Sequence, residues 1–167
     1  TTWELAWAAA GEPVGTQSSQ HKSAAGPQST VLQMALVGCA IANDGVVKQP
    51  YLVDSVYNAS GERSFTATPT TLLKATDSST AQRVRAVLEG VVNNGTGYAA
   101  SVPGVQIAGK TGTAELNDGN NYWFVGMGPS DDASVVVAIC IEKGESGIAA
   151  SRAKGIFEAA LRVQGVL

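Results

Sequence analysis

Three strand-like runs follow one another between residues 105 and 141, and they constrain the fold more than any other feature. The first, residues 105–115 ("VQIAGKTGTAE"), starts behind Pro103-Gly104. Its opening Val-Gln-Ile-Ala alternates in polarity and carries β-branched residues, the period-two signature of a strand. The second, residues 122–127 ("YWFVGM"), is joined to the first by a loop containing Asp118-Gly119, a hairpin signal. The third, residues 134–141, contains "VVVAICI", so uniformly apolar that both of its faces must be covered. A helix from about residue 148 to 163 follows, with Ile156, Phe157, Ala160 and Leu161 expected to lie on the sheet. Trp123 and Phe124 are expected in the sheet core against that helix. Hairpin-joined strands with flanking helices make an α+β fold, an antiparallel sheet backed by helices.

Upstream, "TTWELAWAAAG" predicts a helix capped by Thr2, with Glu4 in its first turn and Gly11 as its stop. The polar, Gly/Pro-punctuated run at 12–29 reads as a long loop. Val31 to Ala42 is apolar on nearly every side and closes at Asn43-Asp44-Gly45, which predicts a central, buried helix. Residues 52–65 suggest a β-hairpin, Leu52 to Tyr57 turning through Ser60-Gly61 to Phe65. From Ser78 to Asn94, the stripe Val84, Val87, Leu88 and Val91 predicts a helix capped by Ser78 or Ser79 and stopped at Asn94-Gly95.

With 167 residues, 44% hydrophobic and 15% charged, the chain can build one domain with a real core. Its net charge of -3 provides no basic footprint, which argues against a nucleic-acid partner. The most apolar run, 31–42, is too short to cross a bilayer. Cys39 and Cys140 sit among apolar residues without metal-ligand spacing and read as small hydrophobes, with a bridge between them as the alternative.

The stretch "GVQIAGKTGTAE" poses a choice. Gly104, Gly109, Lys110 and Thr111 satisfy G-x-x-x-x-G-K-[ST], the nucleotide-phosphate loop. That loop needs a helix beginning at Lys-Thr, whereas here the intervening residues want to be a strand and Gly112-Thr113 and a hairpin follow. The alternative is an edge strand whose outer backbone groups pair with an extended peptide. Thr111 and Thr113 then share one phase of the strand, Gly112 lets the substrate come close, and Lys110 supplies positive charge for a developing anion.

"GKTGTAE" followed by "YWFVGMGPSDDASVVVAICIE" resembles the C-terminal part of a penicillin-binding protein transpeptidase domain of the class B, high-molecular-weight type. "TVLQMALVGCAIANDGVVKQPYLVDSV" is similar to that family's T-P-L-Q-M-A helix, with Val31 in place of the proline. "VVNNGTGYAASVPGVQIAGKTGTAE" resembles the run into its third box. The resemblance covers residues 30–167 and, weakly, 4–10.

The family carries three boxes in order, S-x-x-K, S-x-N and K-T-G. S-x-N is absent here, and S-x-x-K occurs only at Ser19–Lys22, in the polar loop, and at Ser151–Lys154, after the K-T-G box. Neither is expected to be the nucleophile; Ser151 is expected to open the last helix, and His21, the sole histidine, reads as a solvated loop residue. Residues 1–167 are accordingly expected to be the C-terminal portion of one transpeptidase domain, whose nucleophile-bearing half and membrane anchor lie outside the chain.

The resemblance implies a serine D,D-transpeptidase that crosslinks peptidoglycan stem peptides ending in D-Ala-D-Ala, is inhibited covalently by β-lactams, and needs no cofactor or metal. It implies catalytic roles for Lys110 and Thr113 and substrate binding by Thr111, Gly112 and Thr113. The Thr113 N–H would form half an oxyanion hole, and the two threonine hydroxyls would hold the terminal carboxylate. It further implies work at the extracytoplasmic face of a bacterial inner membrane, with divisome or elongation proteins as partners. A β-lactam sensor and a D,D-carboxypeptidase or β-lactamase of the same superfamily remain open as alternatives.

Overall fold

The computed structural model describes residues 29–116 and 118–167. The expected helix at 2–11, the 12–28 loop, Ser19, His21 and Lys22 lie outside the described residues.

Three helices and seven strands are described. Helix α1 (Val31–Ala42) leads into β1 (Val46–Lys48), β2 (Ser55–Tyr57), β3 (Arg63–Thr66) and β4 (Thr71–Lys74). Helix α2 (Ser78–Asn94) and a 3-10 turn (Tyr98–Ala100) precede β5 (Ala108–Leu116), β6 (Gly119–Gly128), β7 (Val135–Ile141) and α3 (Ile148–Val163). The principal sheet has the order β5-β6-β7, antiparallel throughout. This is the expected α+β arrangement. The hairpin closes on the pair Leu116↔Gly119, with Gly119 at φ 143°, where only glycine is unstrained.

Strand periodicity divides the sheet into two faces. Phe124 and Val137 join Ala149, Ala150, Ala153, Phe157 and Leu161 of α3 in the main core, with Val92, Ala100, Val102 and Ile107 completing it. Burying side chains such as Phe124, Phe157 and Leu161 contributes about 1.5–3 kcal/mol each. α1 lies on the opposite face, so close that a Cβ on Gly38 would fall 2.7 Å from Val136 Cγ1 and 3.1 Å from Val125 Cγ1. Both α1 and α3 therefore pack against β7, as its apolar sequence requires.

Several expectations are corrected. Trp123 does not share the α3 face with Phe124, because neighbouring strand residues project to opposite sides; it is half-buried on the α1 face beside Gly112. Phe157 and Leu161 are buried as expected, but Ile156 is 46% exposed, and Ala149, Ala150 and Ala153 complete the buried side of α3. α3 begins at Ile148 behind Gly147, so Ser151 sits exposed in its first turn rather than opening it.

α2 spans the expected residues, but Asp77 is its cap, accepting from the Thr80 N–H at 2.7 Å. Its stripe is also displaced: Val87 is 68% exposed, while Ala81 and Val92 are buried and Arg85 turns inward toward the Ala42 carbonyl and Asp44. α1 is capped by Thr30 and Gln33 bonding reciprocally, and the Asn43 N–H donates to Cys39 O at its end. It is not buried all round. Gly38 and Ala40 are buried, whereas Val31, Leu32 and Val37 are exposed, because the sheet covers one side and nothing among the described residues covers the other.

The predicted hairpin is present as β2 paired with β3, shorter at its start than expected and standing off the core with Leu52, Tyr57 and Phe65 exposed. The β1–β4 pair beside it joins segments about 25 residues apart and had no local signal. Cys39 and Cys140 are both free and half-buried; burial raises the pKa of each thiol, and nearby Glu142 adds to the shift at Cys140.

Candidate functional site

Lys110, Thr111, Gly112 and Thr113 all lie in the first two-thirds of β5. Lys110 is inside a strand paired with Val125, with no helix beginning there, which removes the phosphate-loop reading. β5 occupies one edge of the three-stranded sheet, and no other described strand pairs with its outer side.

A polar clamp sets where this strand begins. The Ser130 N–H donates to the Gln106 carbonyl at 2.8 Å, and the Ser130 hydroxyl donates to Glu89 Oε1 at 2.7 Å. The Gln106 side-chain amide donates to Asn93 Oδ1 at 3.1 Å. Ser130 is 1% exposed, so its own two bonds are largely shielded from water, whereas the Gln106–Asn93 bond is exposed; together they tie α2 to the start of β5 and the end of β6. The cleft of about 500 Å³ around Glu89, Gln106, Ser130 and Asp131 contains none of the four K-T-G-T residues.

Two glycines then let an aromatic ring cover the sheet. Gly109 faces Gly126, and a Cβ on either would meet the Phe124 ring, at 2.5 Å and 2.7 Å respectively. The ring thus takes the space that two side chains would fill, while the strand passes from buried Ala108 and Gly109 to exposed Lys110.

From Lys110 onward the side chains alternate. Lys110 and Gly112 are paired with Val125 and Trp123, on the α1 face; Thr111 and Thr113 are paired with Phe124 and Tyr122, on the α3 face. The threonines do share a phase, but the lysine stands on the other side of the strand. Lys110 Nζ nevertheless curls back to donate to the Thr111 carbonyl at 2.6 Å. That carbonyl therefore faces the open edge. The N–H and C=O of one strand residue point the same way, so the backbone groups of Thr113, two residues on, share that direction. At Gly112 the nearest atom to an added Cβ would be Trp123 Cβ at 3.3 Å, which leaves little room on that side of the strand.

A further side chain joins the site. Thr96 Oγ1 lies 2.7 Å from Thr111 Oγ1. In the sequence, Asn94-Gly95 signals only a helix stop; the signal for Thr96 is its position between Gly95 and Gly97, in a tight turn.

Among the described residues, no cluster of His, Cys, Asp and Glu could hold a metal, and no helix is long and apolar enough to cross a membrane. An edge strand presenting outward carbonyl and N–H groups, flanked by an ammonium and two hydroxyls, can dock an extended peptide with an anionic end.

Solved structures and curated proteins share this chain's fold and sequence. The chain is 60% identical to the D,D-transpeptidase domain of a peptidoglycan glycosyltransferase from Eggerthella lenta, with a TM-score of 0.88 over 100% of this chain and 40% of that one. Penicillin-binding protein A of M. tuberculosis, in an imipenem acyl-enzyme complex, is 29% identical with a TM-score of 0.74, over 82% of this chain and 32% of that one. Among curated relatives, peptidoglycan D,D-transpeptidase PbpA of Mycolicibacterium smegmatis is 33% identical over 127 residues, covering 73% of this chain and 26% of its own. Penicillin-binding protein PbpB of Mycobacterium tuberculosis is 36% identical over 133 residues, covering 70% and 19%. The chain thus spans about a quarter or less of these curated relatives' length. Residues 4–162 match the penicillin-binding protein transpeptidase domain, and the chain belongs to that family.

Proposed function

We propose that this chain supplies the substrate-docking strand of a peptidoglycan D,D-transpeptidase working through a serine acyl-enzyme, with the nucleophile in a part of the domain outside these 167 residues. The observation that carries the reading is the position of Lys110–Thr113 on an open sheet edge, with the Thr111 carbonyl turned outward. The E. lenta match supports the larger domain, since this chain aligns along its whole length with only 40% of that one. The exposed apolar side of α1 fits the same picture.

In this mechanism the donor stem peptide lies along β5. The serine oxygen attacks the carbonyl of the penultimate D-Ala, the C–N bond to the terminal D-Ala breaks, and D-Ala leaves carrying the proton taken from the serine. An amine of a second stem then attacks the ester, releasing the serine and forming the crosslink. Thr111 and Thr113 hydroxyls hold the donor's terminal carboxylate, and the outward Thr113 N–H donates to the oxyanion. Lys110 lowers the energy of that anion and of the deprotonated serine groups around it. Gly112 keeps the approach clear. A β-lactam enters by the same route, its carboxylate standing in for that of D-Ala. The place of action is the extracytoplasmic side of the membrane, where stem peptides are exposed.

The test is intact-mass and peptide mapping of the full-length protein after benzylpenicillin treatment. One adduct on a serine outside residues 1–167 is expected. No adduct, or an adduct on Ser19 or Ser151, overturns the reading.

A further inference from the structure

Thr96 and Thr111 are 15 residues apart in sequence, yet their hydroxyl oxygens lie at 2.7 Å. The approach is built rather than casual. The N–H groups of Gly95 and Gly97 both donate to the Val91 carbonyl, at 3.1 and 3.0 Å, and the Tyr98 N–H donates to Gly95 O at 3.2 Å. The 3-10 turn that follows is anchored by fully buried Ala100. A Cβ on Gly95 would stand 2.9 Å from Val91 O, and one on Gly97 3.3 Å from the same atom. Thr96 is therefore presented by a clamped backbone, and its own β-branched side chain is stiff at χ1.

A hydroxyl has one proton to give. If Thr111 donates to Thr96, only lone pairs remain on its outer side, and these repel a carboxylate. If Thr96 donates to Thr111, the Thr111 proton is free for the carboxylate, and the two bonds in series polarise one another. A carboxylate only accepts, so a bound anionic end selects the second arrangement.

We infer that Thr96 is a positioning residue, which holds the Thr111 rotamer and supplies the donor that turns the Thr111 proton toward the substrate's carboxylate. This rests on the reading of β5 as the docking strand. Thr96 itself does not touch the substrate.

The experiment measures second-order acylation of the full-length protein by benzylpenicillin and by its methyl ester, for Thr96→Val, Thr96→Ser, Thr111→Val and the double variant Thr96→Val/Thr111→Val. Thr96→Val should slow acylation by the free acid about three- to tenfold, the ordinary worth of one hydrogen bond, and leave the ester rate unchanged. Thr96→Ser should restore the rate. The double variant should be no slower than Thr111→Val alone, because Thr96 acts only through Thr111. A wild-type rate in Thr96→Val beside an impaired Thr111→Val overturns the positioning role and leaves the docking strand intact. Equal slowing with acid and ester, or additive losses in the double variant, also overturns it, showing a merely structural effect. A wild-type rate in Thr111→Val overturns the docking reading itself, and the inference with it.

Discussion

Lys110 Nζ donates to the carbonyl oxygen of Thr111 at 2.6 Å, although the two side chains leave β5 on opposite faces. The ammonium is bent across the strand's edge, onto the atom that an added strand would use as its acceptor. On the reading proposed above, the N–H of a docked peptide would compete with the ammonium for this carbonyl.

Replacing Lys110 by Ala in the full-length protein should lower the rate of labelling by a fluorescent penicillin about a hundredfold, as loss of one preorganised electrostatic group does. The side chain is exposed, so thermal stability should stay within about 0.5 kcal/mol of wild type. Labelling at the wild-type rate excludes the role assigned to the ammonium.

Thr113→Pro removes one N–H from the outer side of the strand and none from the β5–β6 ladder. Proline is tolerated at such edge positions, so the protein should still fold, with a modestly lower Tm. Acylation should fall by about 10²–10³, the usual cost of losing an oxyanion donor, while Thr113→Val, which keeps the N–H, should lose much less. Equal rates for the two variants in a stopped-flow assay count against an oxyanion role for this backbone group.

Gly126→Ala should destabilise the domain by about 1–3 kcal/mol. Its Cβ would meet the Phe124 ring at 2.7 Å and the Ala108 carbonyl at 2.8 Å, and the carbonyl is backbone that cannot rotate aside. A lower urea midpoint at unchanged slope is the expected result. An unchanged midpoint would mean that the Phe124 ring does not lie across the glycine pair.

The Asp77 carboxylate is held down to about 2 by hydrogen bonds from the Ser79 hydroxyl first, then from the Thr80 N–H and hydroxyl. A group depressed in the folded state contributes stability above its unfolded pKa and loses it as pH falls toward the folded one. The capping contribution should therefore be full above about pH 4 and disappear between about pH 4 and pH 2. Asp77→Asn should flatten that part of the Tm-versus-pH curve. Glu62 and Asp118 are also depressed, by bonds from Asn58 and from Lys143 respectively, and their share of the curve should persist in the variant. Identical curves for variant and wild type would show that Asp77 does not cap α2 in solution.

The β5–β6–β7 succession was legible because β-branched residues, an apolar run and an Asp-Gly turn act within a few residues of one another, although the alternating Val105–Ile107 lies just before β5, which starts at Ala108. The K-T-G-T run was legible for the same reason, being contiguous in one strand. α2 was legible as a helix but not in orientation. Hydrophobic periodicity favours the stripe Val84-Val87-Leu88-Val91, yet the structure buries Ala81 and Val92 and turns Arg85 inward. The neighbours decided, by offering Arg85 an acidic partner in Asp44 and Val92 a place in the core.

What the amino-acid order determined by itself was the identity of the three helices, the β2–β3 hairpin and β5 to β7, and the chemistry lined up along β5, since these depend on interactions within a few residues. Only the tertiary structure decided which faces are covered, that Trp123 and Phe124 part company across the sheet, and that Thr96 meets Thr111. Those outcomes turn on contacts between segments far apart in the chain. Loop closure and packing select among several locally acceptable arrangements, and no residue's own preference carries that information.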